Sequence, residues 1–383
     1  MRFLAAPVAT FLPLAAGISA VGEHHKTLGF GLSNCCDEAM LDWLKLLNAA
    51  VTQGASDLFL SAGSPPTMRL HGTLQRLIGS DVLSADQVND MLDCLLSTDQ
   101  RNEFNESLDL DVAFEHEQIG RFRVNVFQHH LGPGIVFRVI PLEPPKLDQL
   151  IGHDPLALSI LGSLVSQSAG LALFVGSTGS GKSSTQAAVV DMLNRNGERH
   201  IICVEDPIEF VHTSAEGLIH QRQVGLHVDS FDQALRAALR ENPDVIVLGE
   251  LRDATTIQLA LEAAETGHLV LATCHAPSAV HSVTRVLEGI PQGQRAQARS
   301  VLAASLLVVV YQQLLPGLVD RRVAACELLI ATPAVRNLIR EDKPTQLHST
   351  MQTGKEHGMR TIKQSIQALV NAGAVAEQAH AEP

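Results

Sequence analysis

From Leu41 onward the apolar positions fall into two kinds of pattern. Leu41, Leu44, Leu46, Leu47 and Ala50 recur at helical spacing and predict an amphipathic helix that ends near Gly54. Short segments follow that read as strands between turns, at 57–61, 67–70 and 72–77. Ser84 opens a second helix carrying Leu92, Leu95 and Leu96, and strands return at 110–116, 120–127 and 134–140. Strands of this kind with two helices predict a small α+β domain over residues 40–140. Pro141, Pro144 and Pro145 then mark a linker at 141–150.

Past Leu150 the pattern changes to apolar runs alternating with helical stretches. The runs at 171–175, 200–204, 244–249 and 268–273 predict buried strands of a parallel sheet wrapped by helices, an α/β domain over 151–345. Helices are expected at 346–374, and a disordered tail at 375–383. The first of these strands runs directly into Gly176, Ser177, Thr178, Gly179, Ser180, Gly181, Lys182 and Ser183, which fit G-x-x-x-x-G-K-[ST], with Ser184 next to them as a further candidate. An Ala/Val-rich helix follows. Strand, glycine loop and helix are the context in which backbone N–H groups turn inward to cradle phosphates at a helix N-terminus. Lys182 is then expected to reach the β/γ-phosphates of ATP and the Ser183 hydroxyl to hold Mg²⁺.

Ligands of such sheets bind at the carboxyl ends of the strands. The second strand ends in Glu205, Asp206 and Glu209, the third in Gly249 and Glu250, and the fourth, which starts at His268, ends near His275. Any one of these acids could be a solvated turn residue or a helix cap. Three strand ends carrying polar groups beside a P-loop favour function. Glu250, after Val245–Leu248, has the position of a Walker B acid, and Glu205 is the candidate for polarising the attacking water. Ser230 and Gln233 suggest a capping box on the preceding helix, which Pro243 stops. Arg236 and Arg240 stand i, i+4 on one face of that helix; their ordinary reading is solvated, their alternative a charge role at a phosphate or subunit boundary.

Composition narrows the classes. The 383-residue chain is 45% hydrophobic with a formal net charge of −13, which argues against binding nucleic acid through a broad basic face. Six cysteines without a C-x-x-C pair argue against a disulfide framework or a cysteine zinc site. The histidine pairs at 24–25 and 129–130 read as solvated or turn positions. Residues 1–39 hold an apolar run broken by Pro7 and Pro13, similar to a weak signal peptide. Neither an exported nor a spanning role suits ATP chemistry, so the expectation is an N-terminal extension, or translation starting at Met40.

Five stretches carry a more specific resemblance: GSTGSGKSS, VEDPIEFVH, FDQALRAALRENPDVIVLGELRD, LALEAAETGHLVLATCHA and ATPAVRNLIRE. With them the chain from about Met40 to Ala374 resembles the ATPase superfamily of type II/IV secretion and type IV pili, most closely its twitching-motility retraction branch. The resemblance implies a PAS-like N-terminal domain, a RecA-like ATPase domain and a homohexameric ring in the cytoplasm, peripheral to the inner membrane. It implies as partners a membrane platform protein and, in some genomes, a paralogous retraction ATPase. It places Glu205 and Glu209 in an Asp box, Glu250 in Walker B, and His268 and His275 in a His box. It sets Arg236 and Arg240 near phosphate, and Arg123 and Arg138 as N-terminal-domain arginines that close on the nucleotide. The His box reads Thr273-Cys274-His275-Ala276 here where the family has T-L-H-T.

Thr332 and Pro333 start a helix with Ala334, Val335, Leu338 and Ile339 on one side and Arg336, Arg340 and Glu341 on the other. Its pattern is that of an ordinary amphipathic helix, while AVRNLIRE matches the retraction branch's C-terminal signature. The alternatives are an accessory retraction paralogue, a pilus-assembly or type II secretion ATPase, against which the missing four-cysteine module counts, and a nucleic-acid-translocating motor.

Overall fold

The computed structural model describes residues 37–376 apart from 71, 78, 142 and 319–321. Residues 1–36 of the proposed extension and 377–383 of the proposed tail lie outside the described residues, whereas the proposed start at Met40 falls within a helix, Asp37–Thr52, and Val375 is buried and bridged to Gly317 rather than part of a disordered tail. The chain divides into two compact units, one holding residues up to 115 with 122–139, the other 116–121 with the chain from 140 onward.

The first unit contains α1 (Asp37–Thr52), β1 (Asp57–Ser61), β2 (Thr67–Leu70), β3 (Thr73–Arg76), α2 (Ala85–Leu95), α3 (Thr98–Ser107), β4 (Asp109–His116), β5 (Gly120–His129) and β6 (Gly132–Ile140). The sheet order is β3-β2-β1-β6-β5-β4, and β1 pairs antiparallel with both β2 and β6. Its core is aromatic. The Trp43 ring lies 5.3 Å from Phe114 and 5.8 Å from Phe137, over buried Leu58, Leu60 and Phe122. Helix α3 has no counterpart in the hydrophobic pattern, because Phe104 is its one buried residue. Its start was nevertheless encoded: Ser97 and Gln100 form a complete capping box, as Ser84 and Gln87 do for α2.

The second unit begins with α4 (Leu147–Ile151) and α5 (Pro155–Gly162). Then come β7 (Gly170–Val175), α6 (Lys182–Arg195), β8 (His200–Glu205), β9 (Leu218–Gln223), α7 (Phe231–Ala238), β10 (Val245–Leu248), α8 (Ala254–Glu265), β11 (Leu269–Cys274), α9 (Ala279–Glu288) and α10 (Arg295–Ser305). β12 (Leu306–Pro316), β13 (Arg322–Ile330), α11 (Pro333–Arg340), α12 (Pro344–Thr353) and α13 (Ile362–Asn371) complete it. The sheet order is β13-β12-β7-β11-β10-β8-β9, all parallel except β13, which runs antiparallel to β12. Every residue of β7, β10 and β11 is buried, as a sheet covered on both faces requires. The four expected strands form its middle. β9, β12 and β13 enlarge it to seven and make it mixed rather than wholly parallel.

Two buried polar anchors join the last helices to this sheet. Glu327 on β13, 3% exposed, accepts from Ala279 N at 2.7 Å and from Ile362 N at 3.0 Å, capping the starts of α9 and α13 together. Arg360 pairs with Asp154, the N-cap of α5, and also donates to Cys326 O. Among the described residues no helix is long and apolar enough to cross a membrane.

Candidate nucleotide-binding site

The loop between β7 and α6 can be built only with glycine at its ends. Gly176 has φ 152°, and a Cβ there would stand 2.5 Å from the carbonyl oxygen of Gln312. Gly181 has φ 89° and occupies the N-cap of α6, where a side chain would be strained. The loop therefore leads directly into a helix whose first N–H groups have no intrahelical acceptor, a ready anion site. Lys182 folds back so that Nζ donates to Ser177 O at 2.7 Å. The residue is 7% exposed. Burial lowers its ammonium below the ordinary lysine value, while Glu250, Glu209 and Cys274 pull it back up. Ser180 Oγ is buried without a partner within the loop. Ser183 and Ser184 are partly exposed in the first turn of α6.

The ends of β8, β10 and β11 assemble next to this loop. A Cβ on Gly249 would lie 3.3 Å from the Cα of Glu205, so the Glu205 and Glu250 segments abut. Thr273 donates through its hydroxyl to Gly249 O, and Leu251 N donates to Thr273 O at 3.0 Å. Glu250 accepts from Arg252 Nε at 2.7 Å and lies 3.7 Å from His275 Nε2. Arg252 also reaches Asp206 at 3.7 Å. Glu205 accepts from Gln221 Nε2 at 3.0 Å and from Glu209 N at 3.4 Å. Burial outweighs these hydrogen bonds and pushes its carboxyl up to about 7.

Lys182, Ser183, Glu205, Glu209, Glu250 and His275 thus share the carboxyl edge of the sheet. His268 does not join them. It precedes β11 at the opposite edge, with Nδ1 3.0 Å from Ala263 O; six strand residues, about 20 Å, separate it from the loop. Arg236 and Arg240 are also elsewhere. Helix α7 runs back to the amino edge to feed β10, where Asp244 accepts from His200 N at 2.8 Å. Both arginines are exposed, and Arg240 Nη1 donates to Arg236 O at 2.8 Å. Within this chain neither is brought to the P-loop. Arg123 and Arg138 lie in the first unit, facing away from its core, paired with Asp111 at 3.2 Å and with Asp57 at 3.0 Å.

Two polar partners were not singled out from the sequence. Arg252 orients Glu250 and Asp206, and its only signal was its place two residues after the Walker B acid. Gln221 orients Glu205 from the polar edge strand β9, which carried no signal. The donor set also bears on Mg²⁺. Among the described residues no three acidic or sulfur/nitrogen ligands converge. One hydroxyl and one or two carboxylates beside a phosphate cradle fit a Mg²⁺ ion that keeps most of its shell as water and phosphate oxygens.

The sequence profile of the family described as Type II/IV secretion system protein matches residues 39–381. The type IV pilus retraction ATPase PilT of Pseudomonas aeruginosa is 44% identical over 339 residues, covering 88% of this chain and 96% of the relative. The type IV pilus ATPase PilU of the same organism is 37% identical, covering 89% of each. A crystal structure of the pilus retraction motor PilT with bound ADP superposes with a TM-score of 0.79 at 38% identity, covering 89% of this chain and 96% of that one.

Proposed function

The chain belongs to the Type II/IV secretion system protein family, and from that premise we propose that it is a hexameric, Mg²⁺-dependent ATPase driving type IV pilus retraction. The observation that carries the reading is the convergence of Lys182, Glu205, Glu250 and His275 at one sheet edge beside a glycine loop and a helix N-terminus. The 44% identity to a retraction ATPase supports the choice of machine over an assembly or secretion role.

In this reading the α6 N-terminus and Lys182 bind the β/γ-phosphates. Lys182, kept cationic against its burial by nearby Glu250 and Glu209 and held on Ser177 O, has only to exchange that carbonyl for a phosphate oxygen. Ser183 and Glu250 would hold Mg²⁺, which supplies charge neutralisation at the phosphates. Glu205 takes the proton side: its raised pKa makes it a base near neutrality, with Oε1 fixed by Gln221 and Oε2, held only by the longer bond from Glu209 N, left to orient water. His275, 3.7 Å from Glu250, reports the state of that acid to the start of α9. Arg123 and Arg138 are assigned to stabilising transition-state charge, and Arg236 and Arg240 to a boundary between subunits. The N-terminal unit corresponds to the PAS-like domain and the second to the RecA-like domain of the family. Retraction would act on a membrane platform protein from the cytoplasmic side.

The test is turnover and binding by the purified protein. Lys182→Ala should abolish ADP binding. Glu205→Ala should bind ADP as the unaltered protein does and lose at least a hundredfold in kcat. Normal turnover by Glu205→Ala would remove its assignment as base.

A further inference from the structure

Gln312 belongs to no nucleotide motif, yet it lies against both end glycines of the phosphate loop and bonds to the helix that follows. β12 runs parallel to β7 and pairs Tyr311 with Val175, so the next residue passes under the start of the loop. The Gln312 carbonyl oxygen occupies the space beside Gly176. Its Nε2 lies 2.7 Å from where a Cβ on Gly181 would stand, against the N-cap of α6. Its Oε1 accepts a hydrogen bond from Thr185 Oγ1 at 2.7 Å, one turn into the same helix. Gln312 is 4% exposed and Thr185 fully buried.

A buried carboxamide and hydroxyl are held by the need to satisfy each other. Here that need ties the first turns of α6 to β12, while the Gln312 backbone and carboxamide fill the space beside the glycine where the loop leaves β7 and the glycine where it enters α6. We propose that Gln312 is a positioning residue for the phosphate site, acting through Thr185 to hold the α6 N-terminus and Lys182 where phosphate oxygens must lie. The proposal rests on the nucleotide-binding reading above. Gln312 touches the loop from beneath, so its contribution is to binding geometry rather than to bond breaking. Methionine in its place fills similar volume but gives Thr185 no carbonyl acceptor.

The test uses the full chain, with ADP titration calorimetry and steady-state ATP kinetics on Gln312→Met, Thr185→Val, the double variant and Thr185→Ser, and thermal unfolding in parallel. Expected are an approximately tenfold rise in ADP Kd and ATP KM for each single variant, with kcat changed less than about threefold. The double variant should be no worse than either single one, because both remove the same interaction. Thr185→Ser, which keeps the hydroxyl, should bind like the unaltered protein. Should Gln312→Met fail to fold, Thr185→Val against Thr185→Ser decides the same question. Affinity within twofold of the unaltered protein in Gln312→Met and Thr185→Val, or fully additive losses in the double variant, would overturn the proposal alone. Failure of the unaltered protein to bind ADP would overturn the nucleotide reading and this proposal with it.

Discussion

Position 205 holds a carboxylate where ionisation is costly. In an unfolded chain it would titrate near 4.5, and in the fold near 7. Between those values the folded state keeps a proton that the unfolded state has released, so stability falls as pH rises through that window. Glu205→Gln removes the group and should flatten this fall. Denaturant unfolding at pH 5 and pH 8 should show the unaltered protein losing on the order of 2 kcal/mol more than the variant across that range; parallel losses would mean that Glu205 ionises freely. Single residues were legible where chemistry forces a spacing, as at Lys182, Ser183 and Glu250. They were illegible where a polar residue sits in an apolar run, as Gln312 does in LLVVVYQQLLP. Such a residue has no local partner, and what it touches is 127 positions away. His268 keeps the place that the pattern gave it, at the start of β11 and so at the edge opposite the loop; its assignment to the nucleotide came from the resemblance alone.

Elements divide in the same way. The buried strands β7, β8, β10 and β11 could be read from their apolar runs alone. The polar edge strand β9 and the polar helix α3 could not, since neither buries a regular stripe. Helix α11 shows how pattern misleads about surface. Its Thr332 cap and its Val335 and Ile339 face are as expected. Arg336, on the polar side of the wheel, is not a free surface cation. Its guanidinium donates to Ala331 O at 2.9 Å, to Ala303 O at 2.7 Å and to Ala304 O, closing the last turn of α10. Arg340 is exposed. Arg336→Ala should therefore cost about 1–3 kcal/mol of stability by leaving carbonyls unpaired, and Arg340→Ala less than about 0.5 kcal/mol. Thermal and denaturant unfolding of the two variants checks this, and equal stability would mean that Arg336 contributes no cap. A test of the AVRNLIRE surface in pilus function consequently belongs at Arg340, which is exposed, rather than at Arg336 or at Leu338, which packs against the core.

For the molecule as a whole, the second unit brings the proposed phosphate, base and acid groups to one edge of one sheet. The chain's formal charge of −13 follows from its composition and says nothing of the proposed ring. What pattern could supply was the class of chemistry; what it could not supply was the contact of β12 with the loop and the exposed positions of Arg236 and Arg240 away from it. The central claim is that this site drives pilus retraction. It is tested most directly by expressing the chain in a retraction-deficient, hyperpiliated strain and measuring twitching zones and surface pili. The unaltered chain should restore twitching and lower surface pilin, and Glu205→Ala, expressed at the same level, should do neither. An unaltered chain that hydrolyses ATP when purified from that strain yet leaves the cells hyperpiliated and immobile would contradict the claim.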